Sequence, residues 1–399
     1  MESKITKFFI LGCILGTFLF QGYQANSSSS LSANPLIRVA ILSDVNQFNL
    51  SIRGEYQIVD PITEKKIMTG RSLPKVIVKA EKSGITIDQQ FYSLKQIRIV
   101  AKKDVTVVIK DKSVRYRGAI DIVLDQYNKF LVVNTIDLEL YVKGVLYHEV
   151  SHRWPIEAMR AQAVAVRTYA LYQAKANKNQ SFDVTSNIYS QVYGGRSAER
   201  YRTNIAADRT KGEILIYKGN ILPAYFHSNC GGHTEDVNEL WPQGDLEPLK
   251  GVSCPYCHTA PNYYWTKNLR LKDIQDKLME AGFKVGLIKD MAVMERNESG
   301  RIKLIKITTR DNAVLTIAGR KFREIMGPNL IKSNNYEIMM KGYYVDFAGK
   351  GWGHGVGFCQ WGAYEMSRQK FKYQDILNFY YPAAEIVQLN DFFNSVGKY

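Results

Sequence analysis

The sequence predicts an α+β protein, with a β-rich amino-terminal part followed by a core of mixed helices and strands. Short alternating or continuous apolar runs fill residues 36–136, helical periodicity follows up to residue 176, and strand-like and helix-like segments are then mixed. A chain of 399 residues, 45% hydrophobic and 23% charged, is also long enough to bury a sizeable core.

The predicted strands of the amino-terminal part are bounded by glycine, proline, aspartate and asparagine, which favour turns. The runs are IRVAILSD, KVIVKAE, QIRIVAKKDVTVVIK, AIDIVLD and FLVVNTI. This pattern is typical of antiparallel strands. We place the β-rich region at residues 36–115 and a second domain at residues 116–399.

Two helices are predicted next, LELYVKGVLYHEV and PIEAMRAQAVAVRTYALYQAKA. Pro155 takes the first position of the second helix, where proline is best tolerated, so Glu149 ends one helix just before another begins. Further on, the sequence predicts a hairpin in GEILIYKGNILPAYF, a helix in LKDIQDKLMEAG and strands in RIKLIKITTR, AVLTIAG and YYVDFAG. A glycine-rich loop, GKGWGHGVG, precedes the predicted helix CQWGAYEMSRQ.

The first 25 residues predict a secretory signal peptide or an amino-terminal anchor. Lys4 and Lys7 precede an apolar run over residues 8–20, which is short for a membrane span and includes Cys13. Residues 26–35 are assigned to a serine-rich linker. We therefore expect an exported protein of the periplasm or cell envelope, either cleaved from its signal or anchored through residues 8–20.

The formal net charge of +15 at pH 7 narrows the expected partners. An exported protein meets anionic wall polymers and lipid head groups, so nucleic acid is not an expected partner. Because the charge is spread over the chain, it also fits an ordinary solvated surface.

The segment HEVSH, residues 148–152, fits the H-E-x-x-H pattern of zinc peptidases. Such a site needs both histidines on one face of a continuous helix and a third ligand from downstream. Pro155 disfavours helical dihedrals at the residue before it, so a helix would barely reach His152. The sequence therefore favours a different role for Glu149, as an acid and base acting alone.

A longer stretch, YVKGVLYHEVSHRWPIEAMRAQAVAVRTYAL at residues 141–171, resembles the core segment of the stage II sporulation protein D (SpoIID/LytB) family. Four further motifs match in the same order: DVTSNIYSQVYGG, AYFHSNCGGHTED, GKGWGHGVGFCQWGA and ILNFYYPAAEI. Together the matches cover about residues 116–388, and the amino-terminal strands match more loosely.

This resemblance implies a peptidoglycan lytic transglycosylase that cleaves the β-1,4 bond between N-acetylmuramic acid (MurNAc) and N-acetylglucosamine (GlcNAc). The products carry 1,6-anhydro-MurNAc ends, and denuded glycan strands are the expected substrate. Residues 116–399 are then a catalytic domain around a substrate groove, with Glu149 at the family's catalytic position. Some members are described instead as amidase enhancers, so a non-catalytic wall-binding protein is the alternative. A wall amidase or a membrane-bound wall-remodelling complex is the protein partner that the family implies.

One carboxyl group suffices for this reaction, because the substrate's own C6 hydroxyl attacks C1 in place of a second carboxylate or water. The acid must stay protonated near neutral pH, which burial against Val150, Trp154 and Tyr147 would favour. His148 and His152 bracket the glutamate, and as cations they would lower its pKa instead.

Nine residues are predicted to bind substrate. Glycines in GWGHGVG let the backbone approach a ligand closely. In the same loop, the rings of Trp352 and His354 offer a stacking face and a hydrogen bond. Arg167, on the second helix, is expected to bind Glu149 or a sugar carboxylate, or else to form a salt bridge at the edge of the core. The nine residues are Arg167, Gln162, Gln191, Tyr193, His227, Ser228, Trp352, His354 and Gln360.

Four cysteines follow the amino-terminal segment. Cys230 with His233 and Cys254 with Cys257 give C-x2-H and C-x2-C spacings, the pattern of a structural zinc knuckle. An oxidising compartment favours a disulfide instead, for example between Cys230 and Cys254 or Cys257. The sequence leaves zinc, a disulfide and free thiols open, and the proposed catalysis requires no cofactor.

Overall fold

A computed structural model describes residues 35–187 and 190–396. The predicted signal peptide or anchor, and nearly all of the linker, lie outside these residues. Within the described ranges, no helix combines the length and the apolar character needed to cross a membrane. The structure confirms the predicted α+β class.

Strands β1 to β12 build the amino-terminal part, and each strand expected there from the sequence is present. They are β1 (Leu36–Val45), β2 (Gln47–Ile52), β3 (Tyr56–Val59), β4 (Lys66–Gly70), β5 (Leu73–Glu81), β6 (Gly84–Ile87), β7 (Gln90–Tyr92), β8 (Gln96–Ala101), β9 (Val105–Ile109), β10 (Lys112–Tyr116), β11 (Ala119–Leu124) and β12 (Phe130–Asp137).

These strands form two sheets that share one hydrophobic core. The six-stranded sheet has the order β10-β9-β2-β5-β6-β7. The seven-stranded sheet has the order β13-β1-β12-β11-β8-β3-β4, in which β13 (Val184–Thr185) joins parallel to β1. Because β11 pairs with β8 and β12 pairs with β1, this sheet continues across residue 115.

Helices α1 (Leu138–Glu149) and α2 (Ile156–Ala176) follow β12 directly. Asp137 caps α1, since its carboxylate accepts the backbone N–H groups of Glu139 and Leu140. Helix α1 ends at Glu149, and the next residue, Val150, is extended with φ −136°. The sequence predicted Pro155 as the first residue of α2. In the structure it lies one position earlier, directly before Ile156, where the helix begins.

The rest of the chain mixes short helices and strands. They are α3 (Tyr201–Asp208), β14 (Glu213–Tyr217), β15 (Asn220–Ile221), β16 (Phe226–His227), β17 (Tyr264–Arg270), α4 (Leu271–Glu280), β18 (Ile288–Arg296), β19 (Ile302–Thr309), β20 (Val314–Ala318), α5 (Gly319–Met326), β21 (Tyr336–Lys341), β22 (Tyr344–Lys350), β23 (Phe358–Cys359), α6 (Gln360–Arg368), α7 (Tyr373–Tyr380), β24 (Glu385–Gln388) and α8 (Leu389–Val396). Among the described residues, 3₁₀ helices lie at Gly195–Ala198, Val237–Glu239, Glu247–Leu249 and Cys257–Thr259.

Helix α2 lies between two hydrophobic cores. One face, with Met159, Ala163 and Val166, packs into the core of the amino-terminal sheets. Another, with Ala158 and Ala161, packs into a second core that also holds residues of α6 and α7. Its small alanine side chains let neighbouring elements approach on both sides.

A third core is built within residues 265–347 from the sheets β17-β22-β21 and β18-β19-β20, with α4 and α5. On either side of this region along the chain, β16 and β23 pair in parallel, with Phe226 opposite Phe358 and His227 opposite Cys359. This pairing brings the start of α6 next to the end of β16.

Candidate active site

Glu149 is the last residue of α1, and its side chain is partly buried. The chain leaves the helix at Val150 and turns through residues 151–155 into α2. Arg202 holds this turn, because its guanidinium donates to the carbonyl oxygens of His152 at 2.9 Å and Trp154 at 3.1 Å. The glutamate therefore projects from a rigid helix end.

Both carboxylate oxygens of Glu149 accept a hydrogen bond from a distant part of the chain. The backbone N–H of Val192 donates to Oε1 at 3.1 Å, and Nε2 of Gln360 donates to Oε2 at 3.2 Å. Neither donor is charged. The two bonds orient the carboxyl group without neutralising it through an ion pair.

The two neighbours of Val192 are buried and fix its position. The Tyr141 hydroxyl donates to Oε1 of Gln191 at 2.8 Å, and the Tyr193 hydroxyl donates to Oδ1 of Asn134 at 2.7 Å. The Tyr193 ring also stacks on Tyr141 at a centroid distance of 5.2 Å. Since Gln191 and Tyr193 are only 1% and 4% exposed, they hold the Val192 amide rather than face a substrate.

Three aromatic side chains form a partly buried cluster in the segments that flank the glutamate. Trp154 lies on the turn after Glu149, and Trp361 follows Gln360 on α6. The ring centroid of Trp154 lies 5.0 Å from that of Trp361 and 5.1 Å from that of Tyr364, and the last two are 5.2 Å apart. We call these three residues the aromatic triad. Sequence analysis missed Tyr364, although its position three residues after Trp361 on one helix places the two rings together.

Burial raises the pKa of the Glu149 carboxyl above its ordinary range, and the hydrogen bonds from Val192 and Gln360 lower it in part. Val150, one of the apolar neighbours that the sequence proposed, is 3% exposed and belongs to the core of the amino-terminal sheets. A raised pKa keeps a larger fraction of the carboxyl protonated near neutral pH, as a general acid requires.

His148 does not act on Glu149 as the cation that the sequence predicted. Burial, and then the positive charge of Arg200, lower the pKa of His148, which favours a neutral imidazole.

His152 lies beyond the end of α1, so the two histidines do not share a helix face. In the part of the chain that the structure describes, the one candidate metal cluster lies elsewhere. The structure thus offers no zinc-peptidase site in HEVSH.

The structure contradicts the prediction that Arg167 contacts a sugar and shows the alternative, a salt bridge. Its guanidinium donates to both carboxylate oxygens of Glu139, at 2.8 and 2.7 Å, and to the carbonyl of Glu213 at 3.0 Å. The Arg167 side chain is 0% exposed. Gln162, on the same helix, is also fully buried, and neither of its amide atoms has a partner within the described residues. Both predicted substrate contacts therefore lie inside the protein.

Two of the predicted histidines pack against each other at a centroid distance of 5.4 Å. Nε2 of His354 donates to the Phe226 carbonyl at 2.8 Å, while its Nδ1 accepts the N–H of Val356 at 3.1 Å. Nδ1 of His227 donates to the carbonyl of Val356 at 3.1 Å. Burial lowers the pKa of His354 to about 4 and that of His227 well below its ordinary value. Both rings are neutral, and their hydrogen bonds join the glycine-rich loop to β16.

Trp352 and Ser228 are partly buried and join the glycine-rich loop to the start of α6. The backbone of Trp352 exchanges two hydrogen bonds with Asn229, and Lys332 lies over its ring at 4.9 Å. The carbonyl of Ser228 accepts the N–H of Trp361 at 3.0 Å. Of the nine predicted binding residues, Gln360 is the one whose side chain bonds to Glu149 in the described structure.

The cysteines converge in a different set from the predicted one. The sulfurs of Cys230, Cys254, Cys257 and Cys359 all lie within 4.8 Å of one another and are buried. His233 is not a member, because the chain turns away after Cys230 through two glycines with positive φ. Its Nδ1 bonds instead to the neighbouring backbone carbonyl of residue 234 at 2.6 Å.

Comparisons with known proteins agree with the resemblance seen in the motifs. A family model described as Stage II sporulation protein (SpoIID) matches residues 126–217, and one described as Domain of unknown function (DUF8618) matches residues 255–357. The first match contains Glu149 and Val192. The second coincides closely with the third core, residues 265–347.

Individual relatives cover more of the chain. An uncharacterized protein of Brachyspira hyodysenteriae is 34% identical over 368 residues, which are 92% of this chain and 96% of that protein. Stage II sporulation protein D of Bacillus subtilis is 29% identical over 279 residues, covering 66% of this chain and 78% of its own length. The amidase enhancer of Bacillus subtilis is 26% identical over 293 residues, covering 61% of this chain but only 40% of that protein.

Proposed function

Because this chain belongs to the stage II sporulation protein D family, we propose that it is a cell-envelope lytic transglycosylase that cleaves peptidoglycan glycan strands. The cleaved bond is the β-1,4 linkage between MurNAc and GlcNAc, and the product ends in 1,6-anhydro-MurNAc. The observation that carries this proposal is the Glu149 carboxyl group, which is partly buried, has a raised pKa and is oriented by two uncharged donors.

The chemistry needs only this one acid. Protonated Glu149 donates its proton to the glycosidic oxygen as the bond to C1 breaks, and the carboxylate then accepts the proton of the C6 hydroxyl. The C6 oxygen bonds to C1 and closes the anhydro ring, so Glu149 ends the cycle protonated again. The Val192 amide and Gln360 stabilise the carboxylate between the two proton transfers.

The aromatic triad supports a carbohydrate substrate, because the apolar faces of sugar rings pack on aromatic side chains. Trp154 and Trp361 flank the segments that carry Glu149 and its partner Gln360. A glycan strand lying across the triad would place its glycosidic bonds near the acid. We place the protein in the periplasm or cell envelope, where this polymer is found.

The direct test is to incubate the purified protein with glycan strands, both intact and stripped of stem peptides, and to analyse the products by mass spectrometry. We expect new 1,6-anhydro-MurNAc ends. Products with reducing ends would instead show hydrolysis by water, and the absence of any cleavage would overturn the catalytic proposal.

The second candidate is a non-catalytic amidase enhancer, which the similarity to the Bacillus subtilis protein of that name favours. The discriminating experiment adds this protein to a wall amidase acting on intact peptidoglycan. Faster release of stem peptides without any anhydro product would support the enhancer. Anhydro ends produced without an amidase would support the transglycosylase.

Replacing Gln360 with methionine should extend activity to higher pH. The hydrogen bond from Gln360 lowers the pKa of Glu149, so its loss raises that pKa further. Because the reaction starts from the protonated acid, kcat/KM falls as pH rises through this pKa, and the alkaline limb should move upward. The matched control is Gln369→Met at the exposed residue just after α6, which should leave the profile unchanged. An alkaline limb that moves to lower pH would contradict this role of Gln360.

Binding to denuded glycan should weaken between low and moderate salt. Each MurNAc of a denuded strand carries a lactyl carboxylate, and the protein has a formal net charge of +15. Attraction between exposed charges is screened over about 8–10 Å at physiological ionic strength. Sedimentation with insoluble glycan at increasing salt measures the effect. Salt-independent binding, or tighter binding of peptide-bearing strands, would assign the charge to a solvated surface instead.

A further inference from the structure

Four cysteines from three separate segments meet in one buried cluster, which we call the four-cysteine cluster. Cys230 follows β16, and Cys359 ends β23. Cys254 and Cys257 both precede β17, and Cys257 begins the 3₁₀ helix Cys257–Thr259. Each of the four side chains belongs to a residue no more than 2% exposed. All four sulfurs lie within 4.8 Å of one another, and the Sγ atoms of Cys230 and Cys257 are 3.4 Å apart.

These separations fit ligands that share one tetrahedral ion. With zinc–sulfur bonds of about 2.3 Å, neighbouring sulfurs of a tetrahedral site lie about 3.8 Å apart. Two separate disulfides would join the sulfurs in pairs and would not require all four to converge on a single point. The convergence therefore favours one ion over two pairs.

The surroundings of the cluster also suit thiolate ligands. Sγ of Cys359 accepts the backbone N–H of Gly362 at 3.4 Å, in the first turn of α6, and the N–H of Cys230 at 3.3 Å. The Tyr380 hydroxyl lies 3.2 Å from Sγ of Cys254. Backbone amides and a helix start stabilise negative sulfur, as outer groups around metal ligands commonly do.

We propose that the four-cysteine cluster binds one structural zinc ion that positions Gln360 against Glu149. The ion would join the end of β16, the loop before β17 and the end of β23. Cys359 directly precedes Gln360, so a fixed sulfur at residue 359 fixes where α6 begins and where the Gln360 amide points. Within the described residues, Cys230 also donates its backbone N–H to Sγ of Cys359, beside the pairing of β16 with β23.

The metal-binding part of this inference is independent of the proposed function, and only its effect on cleavage rests on that function. The first experiment measures metal content and thiols in the full chain, purified under reducing conditions without chelator. We expect about one zinc per chain, and release of that zinc when four thiols are modified. Metal-free protein in which these cysteines are oxidised would overturn the proposal.

Two variants test which residues bind the metal. Cys359→Ser should lose most of the zinc and lower the melting temperature, whereas His233→Ala should retain the zinc. The opposite result would restore the set that the sequence predicted. If Cys359→Ser does not fold, cobalt substituted into the unmodified protein gives the answer, because four thiolate ligands produce charge-transfer and tetrahedral d–d absorption. Octahedral cobalt spectra would overturn the site.

Zinc removal from the unmodified protein and from the Gln360→Met variant tests whether the zinc acts through Gln360. Removing zinc from the unmodified protein should lower the rate of glycan cleavage, and adding zinc back should restore it. In the Gln360→Met background, zinc removal should cause a clearly smaller loss, because the contact it supports is already gone. Equal losses in both backgrounds would show that the zinc only stabilises the fold. A zinc-containing protein without any cleavage activity would refute the proposed function and leave the metal site standing.

Discussion

Glu149→Gln is expected to abolish the formation of 1,6-anhydro-MurNAc ends while the protein stays folded and still binds glycan. Glutamine keeps the size of the side chain but cannot donate and then accept a proton. General acid–base catalysis contributes about 10²–10⁴-fold to a rate, and here one group would serve both steps, so the loss should be at least of that order. Product formation is measured by mass spectrometry after fixed incubation times.

The fold should tolerate this change. Oε1 of the new glutamine can still accept the Val192 N–H, and the Gln360 amide can rotate to present its oxygen to the new NH2 group. Glu280→Gln is the matched control, because Glu280 is exposed at the end of α4. It should cleave glycan at the unmodified rate. A Glu149→Gln protein with a substantial part of normal turnover would remove Glu149 from the mechanism.

Arg167→Met is expected to destabilise the protein by about 3–5 kcal/mol, because it leaves the buried carboxylate of Glu139 without its partner. Chemical denaturation, followed by circular dichroism, measures the difference. Adding Glu139→Gln to this variant should recover part of the loss. It removes the unpaired charge, yet keeps an oxygen that can accept the backbone N–H of Gly212.

The same variant separates a structural role of Arg167 from a role in binding. At temperatures where Arg167→Met is still folded, its binding to denuded glycan should match that of the unmodified protein. A stable Arg167→Met protein that no longer binds glycan would mean that Arg167 faces the substrate after all.

Local features of the site followed from the sequence. Pro155 and the residue before it predicted a break between two helices, and the structure confirms that α1 ends at Glu149. Steric restrictions around proline act within a few residues, so they are visible without a fold. The ordered motifs likewise identify the family from the sequence alone.

Several site features depend on contacts that no local pattern contains. Val192 contributes its backbone N–H, and that group is the same for almost every residue type. Gln360, the second donor to Glu149, lies 211 positions away in sequence. Only the pairing of β16 with β23 brings the start of α6 next to Glu149. For Arg167, the sequence predicted either a contact to Glu149 or a sugar carboxylate, or a salt bridge at the edge of the core. Only the fold decides for the salt bridge, because it buries the side chain beside Glu139.

By itself, the sequence determined the α+β class, the amino-terminal strands β1, β5, β8, β9, β11 and β12, the helix break that presents Glu149 and three of the four clustered cysteines. Only the tertiary structure decided that Cys359 replaces His233 in that cluster. The C-x2-H spacing describes two residues on one loop, whereas the direction of the loop after Cys230 depends on its glycines and on β16 and β23 lying side by side. Short-range spacing follows from chain geometry, but convergence across more than a hundred residues is set by which strands pair and which cores close.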